Sequence, residues 1–211
     1  MENKKEFGNK QGEARGEAPK LKKVILASAS PRRKELIGYL PIELAGCMAA
    51  VEEAAYDEAL SPEDNAVMIA AQKALDVKGR CLDIAHDIII SADTYVISEG
   101  RVLGKPKDSL EAKQMIGALS GRTHRVLTGV CIICEGVTLT FCEETEVTFN
   151  PMTNEQIEDY IKKGESIDKA GAYGIQGAAR LFIKGIKGNY ENVMGLPVSR
   201  IYEALLREKI L

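Results

Sequence analysis

The sequence holds only two histidines, His86 and His124, and no apolar run of the length a membrane-crossing helix needs. The first scarcity excludes a histidine-rich metal centre by count, and the second argues against a membrane role. The amino-terminal stretch MENKKEFGNKQGEARGEAPK lacks the apolar core of a signal peptide. It is charged and glycine-rich, so residues from Met1 to about Leu21 are expected to be a disordered tail. Its acidic residues nearly balance its lysines and arginines, which favours that reading over a nucleic-acid-binding arm. A formal net charge of −3 lacks the positive field of a general nucleic-acid binder. It leaves room for a small anion held by a few basic residues focused in a cleft.

Disulfide chemistry is also missing. Cys47, Cys81, Cys131, Cys134 and Cys142 are an odd number without framework spacing, which points to a reducing, cytoplasmic setting. The CxxC at Cys131 and Cys134 lies in the apolar run VLTGVCIIC, which reads as a strand. Period-two geometry sends its two thiols to opposite faces, so neither a zinc pair nor a redox pair is expected. GxxxxGK[ST] and GxGxxG are both absent, which removes Walker-type ATPases and dinucleotide-dependent hydride transfer. No serine nucleophile with a histidine base is evident.

What remains is a chain of 211 residues, 45% hydrophobic and 28% charged, enough for one sizeable domain from residue 22 onward. A strand Val24–Ala27 runs into SASPRRKELIGYL, where Ser30 suits a helix cap and Pro31 its first position. Ser61, Pro62 and Asp64 open a second helix carrying Ala66, Ile69, Ala70, Lys73 and Ala74. An apolar strand Ile88–Ile90 is expected to break at Ser91–Asp93 and resume. Asp108 begins a third helix, with Glu111 placed for a capping box and a stripe of Ala112, Met115, Ile116 and Leu119. Two strands around Glu135-Gly136, roughly Val126–Cys134 and Val137–Phe149, read as a hairpin. Thr153 and Gln156 open a fourth helix, a strand is expected at Leu181–Ile183, and a last helix spans Val198–Glu208. Helices alternating with strands, plus a hairpin, make an α/β fold with a mixed twisted sheet and flanking helices.

Chemistry concentrates in a few places. Ser28, Ser30, Arg32 and Arg33 converge after the first strand, where guanidinium forks match phosphate oxygens. Asp93 at a strand end suits a divalent ion, a general base, or both in sequence. Thr94 beside it offers a hydroxyl to a ligand or is simply a β-former. Glu52 and Glu53 read as a solvated pair, and Lys73 as a lysine snorkelling from an apolar stripe. Lys105, between a glycine and a proline, is a more deliberate charge. In the glycine-rich DKAGAYGIQG, Gln176 suits the edge of a base, and Tyr173 either stacks on a ring or fills the core. The reaction these residues fit best is water attack at phosphorus. Arg32, Arg33, Lys73 and Lys105 would offset negative charge, and Asp93 with a metal would activate the water.

Over LASASPRRKEL, VEE, AAQKA, SADTYV, LGKPKD, ALSGRTHRVLTGV, DKAGAYGIQG and NYENVMGLP the chain resembles the Maf family of nucleoside triphosphate pyrophosphatases. The resemblance implies two lobes around a central cleft, a homodimer, and release of pyrophosphate from a nucleoside triphosphate. It also implies dependence on Mg2+, with Mn2+ or Co2+ as alternatives. By the same resemblance Asp93 is the proton acceptor and a metal ligand. Glu53 is the other metal ligand, and Ser28, Arg33, Lys73 and Lys105 bind phosphate. Arg32, Thr94 and Gln176 match the branch preferring dTTP and UTP over the one preferring 7-methyl-GTP. The family is also linked to arrest of septum formation. Tyr95 departs from it, standing where a small β-branched residue is usual. The competing readings are an inosine or xanthosine triphosphate pyrophosphatase and a non-catalytic nucleotide-binding regulator of cell division.

Overall fold

Alternation of apolar residues gives β1 (Lys23–Leu26) two buried faces: Val24 and Leu26 enter one core, Ile25 the other. The same split recurs along β3 (Ile88–Ser98) and β5 (Thr123–Cys134), so one sheet separates two hydrophobic cores. A computed structural model describes residues 20–51 and 55–211. Most of the expected tail, and the acidic pair Glu52 and Glu53, lie outside the described residues.

Among those residues seven strands form a single sheet in the order β2-β1-β3-β5-β6-β7, with β4 also on β3. Here β2 is Glu43–Cys47, β4 Arg101–Leu103, β6 Val137–Phe149 and β7 Ile183–Lys187. β1 pairs in parallel with β2 and β3, and the remaining ladders are antiparallel. The mixed α/β sheet with flanking helices is therefore as expected. Cys131 and Cys134 join opposite cores, as the strand period requires. None of the described helices is long and apolar enough to cross a membrane.

α2 (Pro62–Arg80) begins where Ser61 Oγ accepts from the Asp64 amide, a cap worth about 1 kcal/mol. Its buried face carries Ala66, Ala70 and Ala74, small enough to let the helix lie close on the sheet. The closest approach is at Gly129 of β5, where a Cβ would stand 2.1 Å from the Ala66 carbonyl carbon. Ser91 Oγ donates to the Ala70 carbonyl at 2.5 Å and fixes the helix along β3. The other core takes residues from α1 (Pro31–Ile37), α3 (Ser109–Leu119), α4 (Asn154–Lys162) and α6 (Val198–Arg207). All four stripe residues of α3 are buried, and Thr153 and Gln156 make the full capping box of α4. Glu111 is different: its carboxylate accepts from the Lys107 amide, one residue ahead of the Asp108 cap.

Three expectations need correction. β3 does not break at Ser91–Asp93; it runs unbroken for 11 residues because β5 continues to pair with it throughout. The expected strand Leu181–Ile183 is displaced: Leu181 ends a 3-10 turn and is 70% exposed, and β7 starts at Ile183. There the backbone ladder to β6 supplies the pairing, although only Ile183 and Ile186 are apolar. Ser30 holds the N-cap position of α1, but its side chain makes no capping bond; the Ser30 amide instead donates to Ser28 Oγ at 3.2 Å.

The sheet has a gap that matters for function. On one edge of β3, β1 pairs only as far as Ile90, and β4 pairs only from Val96. Between them, the segment around Asp93 and Thr94 has β5 as its one strand partner among the described residues.

Candidate active site

A cleft of about 560 Å³ opens at this gap. Ser28, Arg32, Arg33, Lys73, Asp93, Thr94, Lys105 and Gln176 all line it. Strand alternation places Asp93 on the α2 face of the sheet, with Ser91, and Thr94 on the opposite face. The gap lets one ligand reach both faces, because among the described residues no strand pairs along that edge.

On the α2 face, Lys73 Nζ donates to Asp93 Oδ1 at 2.6 Å. The two side chains are 7% and 14% exposed, so Lys73 does not snorkel outward; it is drawn inward to a carboxylate. The placement follows from packing. Gly129 pairs in register with Asp93, and its missing side chain lets α2 approach the sheet at that level.

On the other face, Arg33 is held by three acceptors. Nε donates to the Gly195 carbonyl at 2.7 Å, Nη2 to Thr94 Oγ1 at 2.9 Å and Nη1 to Ser28 Oγ at 3.4 Å. Thr94 Oγ1 also lies 3.0 Å from Thr128 Oγ1. The Thr94 hydroxyl is thus engaged with Arg33 and Thr128. Lys105 is exposed and makes no hydrogen bond or ion pair among the described residues. The Gln176 side chain is half-buried and likewise makes no such bond there.

Arg32 Nη1 donates to Asp168 Oδ2 at 3.0 Å, and Lys169 Nζ reaches Asp168 Oδ1 at 2.5 Å. Burial would raise the Asp168 pKa, but the bonds from Lys169 and Arg32 prevail and hold it below the usual carboxylate value. Asp168 and Lys169 line the cleft; they open the DKAGAYGIQG stretch, in which the sequence reading gave a role to Gln176 and not to them. Beneath the loop, Tyr173 fills the core at 5% exposure, and its hydroxyl is 2.8 Å from His124 Nε2. Burial pushes the His124 pKa down to about 4 and the Tyr173 phenol well above its usual value. Tyr95, the departure noted above, lines the cleft and stacks edge-on against Tyr56 at 5.6 Å between centroids.

Among the described residues no group of three or more His, Cys, Asp or Glu is placed to hold a metal. The site therefore offers cations on both faces of a gap, one nearly buried carboxylate, and an amide at the far wall. That set suits a polyphosphate attached to a ring with hydrogen-bonding edges.

A family model described as Maf-like protein matches residues 23–208. The chain is 47% identical over 193 residues to a dTTP/UTP pyrophosphatase of Bacillus cereus (strain ATCC 10987 / NRS 248), covering 90% of this chain and 92% of that one. It is 46% identical over 187 residues to a dTTP/UTP pyrophosphatase of Bacillus anthracis (strain CDC 684 / NRRL 3495), covering 88% and 95%. A solved structure of a nucleoside-triphosphatase / dITP/XTP pyrophosphatase from Mycobacterium abscessus ATCC 19977 / DSM 44196 matches at 14% identity. It covers 60% of this chain and 72% of that one with a TM-score of 0.35, too low to support an argument.

Proposed function

The chain belongs to the Maf-like protein family, and on that footing we propose that it hydrolyses dTTP and UTP to the nucleoside monophosphate and pyrophosphate. The observation that carries the reading is the convergence, at one gap in the sheet, of the Lys73–Asp93 pair with Arg33 and Lys105.

The residues divide the work by charge. Lys105 and Arg33 bind phosphate oxygens and stabilise the negative charge that grows there as the bond to the leaving pyrophosphate lengthens. Asp93 takes the proton of the attacking water. Lys73, bonded to Asp93 Oδ1, fixes the direction of that carboxylate and adds a positive charge beside the reacting phosphate. Ser28 accepts from Arg33 and from the Ser30 amide, and so shapes the loop on which the phosphates rest. Gln176 supplies the base recognition: a carboxamide carries one donor and one acceptor side by side, the complement of the N3–H and carbonyl edge of uracil or thymine. Arg32, tied to Asp168, also lines the cleft.

Metal dependence belongs to the same proposal. Mg2+ is commonly held by one or two carboxylates together with substrate phosphates, and a cleft with Asp93 beside phosphate-binding cations fits that habit. Glu53, the second carboxylate implied by the family, lies outside the described residues. When bound, a divalent ion supplies Lewis-acid polarisation of a phosphoryl oxygen. A homodimeric, cytoplasmic enzyme is part of the proposal and rests on the family resemblance.

The test is pyrophosphate release from dTTP, UTP, CTP, ITP, GTP and 7-methyl-GTP with Mg2+, compared as kcat/KM. Preference for dTTP and UTP is expected. A preference for ITP would move the reading to a purine-cleansing enzyme. Silence across the panel from folded protein, with Mn2+ and Co2+ also tried, would leave a nucleotide-binding regulator.

A further inference from the structure

Arg33 stands at one end of a hydrogen-bonded chain that leads away from the cleft into the core. Its Nη2 donates to Thr94 Oγ1, Thr94 Oγ1 lies 3.0 Å from Thr128 Oγ1, and Thr128 Oγ1 lies 3.1 Å from the Asn192 backbone carbonyl. Thr128 and Asn192 are both wholly buried. The direction of the chain follows from what each end can do. A carbonyl only accepts, so the single hydroxyl proton of Thr128 goes to Asn192. Thr94 must then donate its own proton to Thr128, and its lone pair accepts from Arg33, which can only donate. The carbonyl end sets this order, and the Arg33 end is compatible with it.

The chain also closes on itself. Asn192 ends its reach in the turn that completes α5 (Tyr190–Met194), where the Gly195 amide donates to the Asn192 carbonyl at 2.9 Å. The Gly195 carbonyl in turn accepts from Arg33 Nε. Gly195 adopts a left-handed φ of +105°, and a Cβ there would press on Thr94 Oγ1 at 3.3 Å and Arg33 Nε at 3.4 Å. Asn192 itself is clamped: its side-chain amide donates to the Val126 carbonyl and to Thr145 Oγ1, each at 3.0 Å. One buried turn thus holds the guanidinium at two of its nitrogens, directly at Nε and through two hydroxyls at Nη2.

We propose that Thr128, anchored by the Asn192 carbonyl, is a positioning residue for Arg33, with the Thr94 hydroxyl as its relay. The inference rests on the reading that Arg33 binds the phosphates of a hydrolysed nucleoside triphosphate. It assigns function to a side chain with no exposed atom, and it states why a hydroxyl is needed at position 94: the Thr94 proton is spent inward, so none is left for a substrate.

The experiment is a double-mutant cycle on UTP hydrolysis with Thr128→Val and Arg33→Ala. Valine keeps the shape of threonine, and the Asn192 carbonyl keeps its bond from Gly195, so folding is expected to survive. Thr128→Val should lower kcat/KM about tenfold, the scale of one hydrogen bond to a charged group, and Thr128→Ser should restore it. In the Arg33→Ala background the same change should have under about twofold effect. An equal loss in both backgrounds would overturn the proposal, since a merely structural role acts whether or not Arg33 is present. Solvent exchange of the Arg33 Nη2 hydrogens, which the relay holds, can be read by nitrogen-15 NMR and requires no turnover. It should quicken in Thr128→Val, or in Thr128→Ala if the valine variant does not fold, and unchanged exchange overturns the proposal as well. Failure of the wild-type protein to hydrolyse any triphosphate would instead strike the functional reading, with the NMR result still deciding the role of Thr128.

Discussion

Lys73 Nζ lies 2.6 Å from Asp93 Oδ1, and the pair is nearly withdrawn from water although both residues line the cleft. Two opposite charges in such a place compensate one another's desolvation. They also leave the second carboxylate oxygen of Asp93 as the point from which a water can be deprotonated. Asp93→Asn should therefore lower pyrophosphate release from UTP by about 10²-fold or more, the usual scale of a general base. The variant should remain cooperatively folded, with a lowered Tm, because an amide oxygen still accepts from Lys73. Near-normal turnover in folded protein would remove Asp93 from the proposed role.

The Lys73–Asp93 geometry depends on how closely α2 lies on the sheet, and Gly129 sets that distance. A methyl group at Gly129 would overlap the Ala66 backbone, where nothing flexible can yield. Gly129→Ala should destabilise by about 3 kcal/mol or more, lower Tm by roughly 10 °C, and reduce turnover as α2 lifts Lys73 from Asp93. Gly117→Ala is the control. That glycine lies on an exposed turn of α3 with open space beyond it, and the change should stabilise by about 0.5–1 kcal/mol. Calorimetric unfolding of the two variants decides the matter: the same chemical change should move Tm in opposite directions.

Local signals were legible where one short stretch determines its own structure. The Ser61, Asp108 and Thr153 caps, the apolar stripe of α3 and the hairpin around Glu135-Gly136 each depend on residues close in sequence, and each stands where the pattern puts it. What could not be read is set by partners far along the chain. Asp93 looks like a strand terminus because a carboxylate is unfavourable inside a sheet. It lies within β3 because Lys73, 20 residues earlier, neutralises it and because β1 stops short on that edge. Asp168 gave no signal because its partner Arg32 is 136 residues away. The family resemblance singled out Arg33, Thr94 and Gln176, but it gave no hint that the Thr94 hydroxyl points to Thr128.

Acid should weaken the fold through His124. Burial holds its folded pKa at about 4, against an ordinary value of 6.5. Protonation puts an N–H on both ring nitrogens, and Nδ1 is buried without a partner among the described residues. The unfolded chain binds the proton more readily, so the stability this histidine contributes is fully present above about pH 6.5. It is lost as pH falls toward 4, with a total of about 3 kcal/mol. His124→Phe keeps the edge-on ring packing with Phe149 and Tyr173 but does not titrate. Denaturant unfolding of both proteins from pH 7 to pH 4 should show the wild type losing about 3 kcal/mol relative to the variant. Parallel pH curves would exclude His124 as the acid-sensitive group.

Gln176 should decide the base. Its carboxamide lines the cleft with donor and acceptor both uncommitted among the described residues, which suits the mixed edge of uracil or thymine. Gln176→Glu replaces the donor with a second acceptor and adds a negative charge. The carbonyl of a pyrimidine then meets a carboxylate oxygen, whereas the cationic ring of 7-methyl-GTP, with its N1–H and exocyclic amine, gains an acceptor and a counter-charge. The ratio of kcat/KM for UTP over 7-methyl-GTP should fall by at least about tenfold, the discrimination expected when a buried polar edge loses its match. The change should come mainly from UTP, since the phosphate-binding residues Arg33 and Lys105 are untouched. Because the Gln176 side chain makes no hydrogen bond among the described residues, Tm should stay within about 2 °C of the wild type. An unaltered ratio at unaltered Tm would mean that the base is read elsewhere in the cleft, with Arg32 and its partner Asp168 the next residues to change.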